Sequence, residues 1–395
     1  MHLFHLHSQK FDRILRSNFW MFETSVWLHT VGRSFIAVFI PILLLVSGFD
    51  LETVIWYYLV YYLIDIPINF LARKCTIKFG AKACIIIATF ATIGFFLLLG
   101  QLSASSTWVH LGLLALLAGI YDAFYFVSHL FLFMEIEQEE KETKKGTGFL
   151  YAIRQFGTLL GPFIGALFLI FVSEDSLIFL SIFILFISII PLFRLHDLDD
   201  KPKEIKPIRI RHLPKEQKRT FMIHMLWTVH RIAESTIWPI FIYITFESLQ
   251  SVAAISMIAS VTSIIFSYFS SKISDKKRYS MIILGALIVL LTWLARIVID
   301  IPSFYYVSVV IVGFVTLFVS IPLDSKIFSI GSQTNPLNVS TLRNTASMVA
   351  GAVFFGLILA LVNIFQSSFT IAVLAVFIVL VTITSLFKKT KKRIV

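Results

Sequence analysis

The sequence predicts an all-α membrane protein of two six-helix bundles. Three observations predict this fold class: an apolar composition, twelve stretches long enough to span a bilayer, and one segment that recurs 198 positions later in the chain. Of the 395 residues, 57% are hydrophobic and 14% are charged, whereas soluble domains are about 45–50% apolar and about 25% charged. A chain this apolar cannot hide its surface from water by folding alone, so we expect a lipid bilayer to surround it.

Twelve apolar stretches are long enough to be transmembrane helices, because about 20 mostly apolar residues cross the hydrocarbon core of a bilayer. The connections between these stretches are mostly short. In order along the chain, the predicted spans are 22–48, 53–72, 82–102, 108–134, 147–172, 176–194, 221–246, 250–270, 280–300, 303–330, 340–364 and 367–387.

The formal net charge of +11 is distributed unevenly along the chain. If the N-terminus is cytoplasmic, the outer connections contain no Lys or Arg, and nearly all cations fall in the inner segments and the C-terminal tail. This is the positive-inside pattern of membrane proteins. We therefore expect an integral protein of the plasma or inner membrane with both termini in the cytoplasm. The charge then needs no nucleic-acid partner.

One segment of the chain recurs as a partial sequence repeat. HTVGRSFIAVFIPI (29–42) and WTVHRIAESTIWPI (227–240) have Thr, Val, Arg, Pro and Ile at equivalent places. The repeated arginines, Arg33 and Arg231, each fall inside a predicted span. The repeat therefore indicates one buried cation in each half of the chain, at an equivalent depth in the membrane.

A long polar linker divides the chain into two equivalent halves. Residues 196–220 contain three prolines and mixed charges. The repeat offset also aligns the basic loop 72–82 with the loop 270–280, and two matches at one offset indicate a duplication. We predict bundles over 1–195 and 221–395, related by a pseudo-two-fold axis along the membrane normal.

The twelve-span plan with a central cytoplasmic linker resembles the major facilitator superfamily. The basic loops after the second and eighth spans, ARKCTIKFGAK and SSKISDKKRYS, occupy the place of the family's G-x-x-x-D-R-x-G-R-[RK] motif in a degraded form. Ile77 stands at the acidic position of the first loop, whereas Asp275 keeps that position in the second. The resemblance implies cytoplasmic gate loops, with the candidate residues Lys74, Lys78, Gly80, Asp275, Lys276 and Arg278.

The fifth predicted span carries a glycine motif. YAIRQFGTLLGPFIGALF (151–168) is similar to the G-x-x-x-G-P-x-x-G motif of the family's antiporter branch, through Gly157, Gly161, Pro162 and Gly165. This resemblance implies antiport. The alternative is ordinary helix packing, because small residues on one face let two helices approach closely.

Several ionisable residues lie within predicted spans, where a charge at the bilayer centre costs about 2.5–3.5 kcal/mol on insertion scales. We expect the central ones to converge near the midplane, where transporters with such repeats bind their substrates. A proton arriving on one of the carboxylates would release its arginine and couple transport to protons. The candidate substrate-binding and coupling residues are Arg33, Asp122, Arg154, Arg231 and Glu234, with His29 and His230 as second-rank titrating groups.

Other intramembrane charges have structural interpretations. Arg296 and Asp300 are expected to form an i,i+4 pair at the surface. Asp324 and Lys326 lie either inside the membrane or at the cytoplasmic interface. Asp65 is either a site residue or a structural lock between gate helices.

The sequence predicts a secondary transporter rather than an enzyme. It has no glycine-rich phosphate loop, H-E-x-x-H or G-x-S-x-G motif, and its two cysteines lack metal-ligand spacing, so we expect no catalytic site, metal or cofactor. Three arginines against two carboxylates favour an anionic or zwitterionic substrate. We predict a monomer that exports a small organic or amphipathic compound by proton-coupled antiport. Proton-coupled import of an organic anion is the alternative.

Overall fold

The computed structural model describes residues 18–139, 145–195, 213–270 and 278–394. Within these ranges all regular secondary structure is helical, with fourteen α-helices and one π-helical turn. The α-helices are α1 (Asn18–Ala37), α2 (Ile40–Val46), α3 (Leu51–Phe79), α4 (Ala81–Leu99), α5 (Trp108–Glu139), α6 (Lys145–Phe171), α7 (Glu174–Phe193), α8 (Lys215–Ile232), α9 (Trp238–Phe246), α10 (Leu249–Ser270), α11 (Arg278–Val298), α12 (Pro302–Gln333), α13 (Pro336–Leu359) and α14 (Ile364–Ile394). The π-helical turn is Ala233–Ile237.

Nine helical segments of the described chain are long and apolar enough to cross a membrane. The first of them combines α1 and α2, and shorter apolar stretches lie in α6 and α10, at Phe156–Phe171 and Leu249–Ser263. The all-helical membrane fold is confirmed. The number of twelve spans stays a prediction, because α6, α10 and the α8–α9 segment are not among these nine.

The repeated segment is interrupted at the same place in both copies. Val38 and Phe39 separate α1 from α2, which carries Pro41 in its first turn. In the second copy the π-helical turn separates α8 from α9, which carries Pro239 in its first turn. Proline has no N–H to donate, and its ring clashes with the carbonyl four residues earlier. Each interruption therefore falls between the repeated arginine and the repeated proline.

Helices of the first half of the chain pack mainly on one another, and so do those of the second half. In the first half α1 packs against α6 and α7, and α5 packs against α3 and α4. In the second half α11 packs against α12 and α14, and α8 packs against α13 and α14. Contacts between the halves join α3 to α13, α5 to α13 and α6 to α10. The bounds of the two bundles stay predictions.

The glycine motif of the fifth predicted span lets α6 pack closely against α1. A Cβ atom on Gly161 would collide with the Ser34 side chain, and one on Gly165 would collide with the carbonyl oxygen of Phe35. Two backbones can approach this closely only where a side chain is missing. The motif therefore has a packing role within the first half. Its link to antiport stays a prediction.

Candidate functional site

A cavity of about 260 Å³ lies between α1, α5 and α6 in the first half of the chain. Arg33 and His29, one turn apart on α1, both line it. No acidic residue is among the described residues of its wall. The other polar and aromatic side chains that line it are Thr30, Ser34, Tyr121, Tyr125, Phe126, His129 and Thr158. The cavity is therefore positive and aromatic in character.

Arg33 is the only charged residue among those lining the cavity in the described chain. The Cζ atom of Arg33 lies 4.7 Å from the centroid of the Tyr121 ring, within the range of a cation–π contact. Among the described residues no hydrogen bond or ion pair to its guanidinium is formed. The five N–H donors of Arg33 are thus left for groups that enter the cavity.

Asp122 of α5 brings the two repeated arginines into one electrostatic group. Its side chain is 6% exposed and interacts with the Tyr61 hydroxyl of α3. The carboxylate also lies in the field of Arg33 from α1 and of Arg231 from α8. Asp122 therefore interacts with both repeated arginines, whereas the convergence of the whole predicted set near the midplane and its role in transport stay predictions. Tyr61 was not predicted, because a tyrosine inside an apolar span gives no signal of its own.

Two histidines and two tyrosines form a stacked column beside the cavity. The His29 ring stacks against both Tyr121 and Tyr125, with ring centroids 5.6 and 4.1 Å away, and the two tyrosine rings lie 5.5 Å from each other. Tyr125 stacks in turn on His129, at 4.9 Å, and His129 stacks on Phe22, at 5.4 Å. The rings are within 20° of parallel at each of these contacts of His29 and His129. This column fixes the orientation of His29 next to Arg33.

Glu234 does not pair with Arg231 in the structure. It accepts two hydrogen bonds from Arg296 of α11, at 2.5 and 3.1 Å. The predicted surface pair between Arg296 and Asp300 is wrong. Arg296 is 4% exposed, and Asp300 instead accepts a hydrogen bond from Tyr305. Packing of α11 against the π-helical turn gives Arg296 a partner that lies far away in the sequence.

His230 has partners at both ring nitrogens. Trp293 Nε1 donates to its Nδ1 at 2.9 Å, and Thr316 Oγ1 lies 3.3 Å from its Nε2. Since Nδ1 accepts a hydrogen bond, a neutral His230 carries its proton on Nε2 and donates to Thr316. The side chain is fully buried. These contacts give His230 a structural role in the second half.

Other predicted site residues lie wholly or partly beyond the described structure. The side chain of Arg154 in α6 is outside the described residues, and so is that of Arg278 at the start of α11. Asp275 and Lys276 also lie outside them. The first predicted gate loop, 72–82, is helical except at Gly80, because α3 continues to Phe79 and α4 begins at Ala81. Lys74 and Lys78 are exposed on α3. Gly80 ends that helix with a φ of 91°, which favours glycine.

A line of polar contacts joins α3 to α13 across the two halves. Asn69 donates to the Asp65 carboxylate at 2.8 Å and accepts from Asn344 at 2.8 Å. Arg73 donates to Asn338 at 3.1 Å. Asp65 is fully buried, so these contacts favour its interpretation as a lock between helices. We call this set the α3–α13 bridge.

Asp324 and Lys326 separate in the structure. Asp324 is buried and accepts hydrogen bonds from Arg343 of α13, at 2.9 and 3.3 Å. Lys326 Nζ lies 3.9 Å from Glu216, and both of those side chains are exposed. Asp324 is thus inside the bundle, whereas Lys326 is at its surface. Arg343 was not predicted, because it lies near the start of a predicted span, where cations are common.

The fold and this site define an integral membrane protein with an internal, positively charged cavity between its helices. The sequence profile of the Major Facilitator Superfamily matches residues 24–354. The chain belongs to this family of membrane transporters. It is a transporter and not an enzyme. No curated protein matches its sequence.

Solved transporter structures share the fold at low sequence identity. The human organic anion transporter MFSD10 (TETRAN) has a TM-score of 0.67 and 11% identity, over 93% of this chain and 99% of its own. The nucleoside transporter NupG, solved as a point mutant, has a TM-score of 0.66 and 10% identity, over 94% of this chain and 100% of its own. A bacterial homologue of the iron transporter ferroportin, outward-facing with soaked iron, has a TM-score of 0.66 and 16% identity, over 93% of this chain and 98% of its own.

Proposed function

We propose that this protein is a proton-coupled antiporter that exports a small amphipathic organic compound by alternating access. The observation that carries the proposal is a buried Asp122 that interacts electrostatically with both Arg33 and Arg231, beside a cavity with aromatic walls. Ionisable groups inside the membrane are costly and usually serve substrate or proton pathways. Such transporters typically bind their substrates near the midplane, between the two repeats. Asp122 interacts with one arginine from each half, whereas the cavity itself is lined by residues of the first half.

Proton coupling follows from the electrostatic group around Asp122. The ionised carboxylate stabilises the positive charges of Arg33 and Arg231 through space. In the proposed exchange, a cationic or hydrogen-bond-donating group of the substrate binds the ionised Asp122, and a proton on Asp122 displaces it. Substrate and proton then compete for one carboxylate, which is the requirement for exchange. A proton that instead frees Arg33 to bind an anionic group would bind together with the substrate and favour the alternative, import of an organic anion together with protons.

Alternating access requires that one contact between the halves opens while another closes. The α3–α13 bridge is one such contact, since Asn69 and Arg73 each reach across the halves to an asparagine of α13. It lies on the side where α3 ends and α13 begins. We call this the linker side, because α7 ends and α8 begins there as well. Opening on this side breaks the bridge and exposes the polar groups on both helices.

Import of an organic anion together with protons is the second candidate. The wall of the cavity favours it, because Arg33 is present and no carboxylate is among the described lining residues. The packing role of Gly161 and Gly165 also gives the glycine motif an explanation that implies no direction of transport. The human organic anion transporter of the same fold is a precedent for this class of substrate.

Transport in proteoliposomes, recorded with an interior pH dye, tests the proposal. We expect protons to leave acid-loaded vesicles as an organic anion or a lipophilic cation enters, and this flux to be lost in Asp122→Asn. The matched control is Glu216→Gln, a carboxylate that is exposed at the surface, and it should transport like the wild type. Movement of protons in the substrate's own direction would establish the second candidate. Full proton coupling in Asp122→Asn would contradict the role of Asp122.

A further inference from the structure

We propose that the cavity between α1, α5 and α6 binds a single-ring organic acid that also carries a hydroxyl group. The carboxylate pairs with Arg33, and the hydroxyl donates a hydrogen bond to Nε2 of His29. This inference rests on the proposed function in taking the cavity as the transport site. It goes further by naming the chemistry of the ligand.

The carboxylate position follows from Arg33. Its guanidinium lies over the Tyr121 ring and forms no hydrogen bond to any described residue, although it has a fork of donors that fits a carboxylate in a bidentate way. Asp122 acts on it only through space. With no acid in the described wall of the cavity, the guanidinium is available for an anion that enters from outside.

The hydroxyl position follows from the hydrogen bonds around His29. The Thr89 hydroxyl donates to the carbonyl oxygen of Ile85 at 2.9 Å, and a hydroxyl has only one proton to give. Nδ1 of His29 lies 3.5 Å from the same oxygen, and a hydrogen bond between them has Nδ1 as its donor. In the neutral ring Nε2 is then an acceptor. It is buried and has no partner among the described residues, which is costly unless a ligand supplies a donor.

The spacing and the walls of the cavity fix the size and shape of the ligand. Arg33 and His29 are four residues apart on α1, so their side chains leave the helix on the same face. The Cζ atom of Arg33 and the centroid of the His29 ring lie 4.7 and 5.6 Å from the centroid of the same Tyr121 ring. One small molecule can therefore contact both side chains, and a single aromatic ring with substituents at opposite ends is of suitable size. Tyr121, Tyr125 and Phe126 provide aromatic surface for the ring. The volume of about 260 Å³ is below the usual range for drug-sized ligands of about 300–1,000 Å³.

Calorimetric titration of the full-length protein in detergent tests the inference with three probes: 4-hydroxybenzoate, 4-methylbenzoate and benzoate. In the wild type we expect 4-hydroxybenzoate to bind at least about tenfold more tightly than 4-methylbenzoate, because the methyl group leaves Nε2 unpaired. In His29→Leu this ratio should fall to about one. In Arg33→Gln all three acids should bind more weakly. The control His110→Gln, at an exposed histidine, should keep the wild-type ratio.

The ratio of two affinities within one variant does not depend on the fraction of protein that is folded, so partial unfolding cannot imitate the result. Equal affinity for all three acids in the wild type would overturn the inference, as would a ratio that persists in His29→Leu or no binding of any probe. Binding in detergent needs no proton gradient. A negative result in the calorimetric titration therefore does not contradict proton coupling. A negative result in the proteoliposome assay likewise does not contradict the predicted preference for 4-hydroxybenzoate.

Discussion

Arg296 of α11 donates two hydrogen bonds to Glu234 of the π-helical turn, and so ties the interrupted helix of the second repeat to its neighbour. The same guanidinium donates to Ser308 at 2.9 Å and lies over the rings of Trp238 and Trp293, with Cζ 3.6 and 4.6 Å from their centroids. The side chain of Arg296 is fully buried. A buried cation with this many partners holds the local structure in place.

Loss of one partner of this pair should destabilise the protein strongly. In Arg296→Met the carboxylate of Glu234, whose side chain is 22% exposed, loses its counter-charge. The cost is at most the roughly 3–5 kcal/mol that breaking a fully buried pair takes. We expect a clear fall in the midpoint of thermal unfolding in detergent. The control is Lys326→Gln, because the pair of Lys326 with Glu216 is exposed and such pairs contribute about 0–1 kcal/mol. Equal midpoints for the two variants would show that the pair has no stabilising role.

Alanine at the motif glycines should disturb the contact of α6 with α1. Gly161→Ala and Gly165→Ala place a methyl group against Ser34 and against the backbone of Phe35. Overpacking of this kind typically costs about 1–3 kcal/mol, so both variants should unfold at lower temperature and transport poorly. Gly112→Ala is the matched control, since nothing lies within 4 Å of a Cβ at that position. A Gly161→Ala protein as stable as Gly112→Ala would refute the close contact.

Removal of the α3–α13 bridge should open the linker side more often. Asn344→Leu leaves the Asn69 amide oxygen without its donor. The closed arrangement therefore becomes less stable relative to the open one. Met134, fully buried and packed against Gly331 of α12, reports opening when replaced by cysteine in a background with Cys75→Ser and Cys84→Ser. We expect a permeant maleimide to label Met134→Cys faster when Asn344→Leu is also present.

The control for this labelling experiment is a cysteine at Gln101, which is exposed in the connection between α4 and α5. Its labelling rate should be the same with and without Asn344→Leu. If Met134→Cys reacts at one rate in both backgrounds, the bridge does not hold the linker side closed.

The fold class and the repeat could be predicted because hydropathy, loop charge and proline positions are local properties of the sequence. The partners of individual buried side chains could not be predicted in this way. From sequence spacing, Asp300, one turn away, was the only expected partner of Arg296. In the folded protein Arg296 instead pairs with Glu234, 62 positions earlier. The link between Asn69 and Asn344 joins two neutral amides that are 275 positions apart, and no sequence pattern marks such a pair. That Asp122 interacts with arginines was predictable because an ionisable residue in an apolar span needs a partner or a cavity. Glu234 belonged to the same predicted set but pairs with Arg296 instead.

Arg33 and Asp122 should act as a coupled pair in transport. Arg33→Gln and Asp122→Asn should each lower kcat/KM for proton-driven uptake into proteoliposomes. The double variant should lose little more than either single variant, because residues that act as a unit are strongly non-additive. Asp122→Asn combined with Lys326→Gln is the control, and its two effects should add, since Lys326 lies at the surface. Additive losses for Arg33 and Asp122 would mean that the guanidinium and the carboxylate work independently. In that case the electrostatic contact on which the coupling proposal depends would have no part in transport.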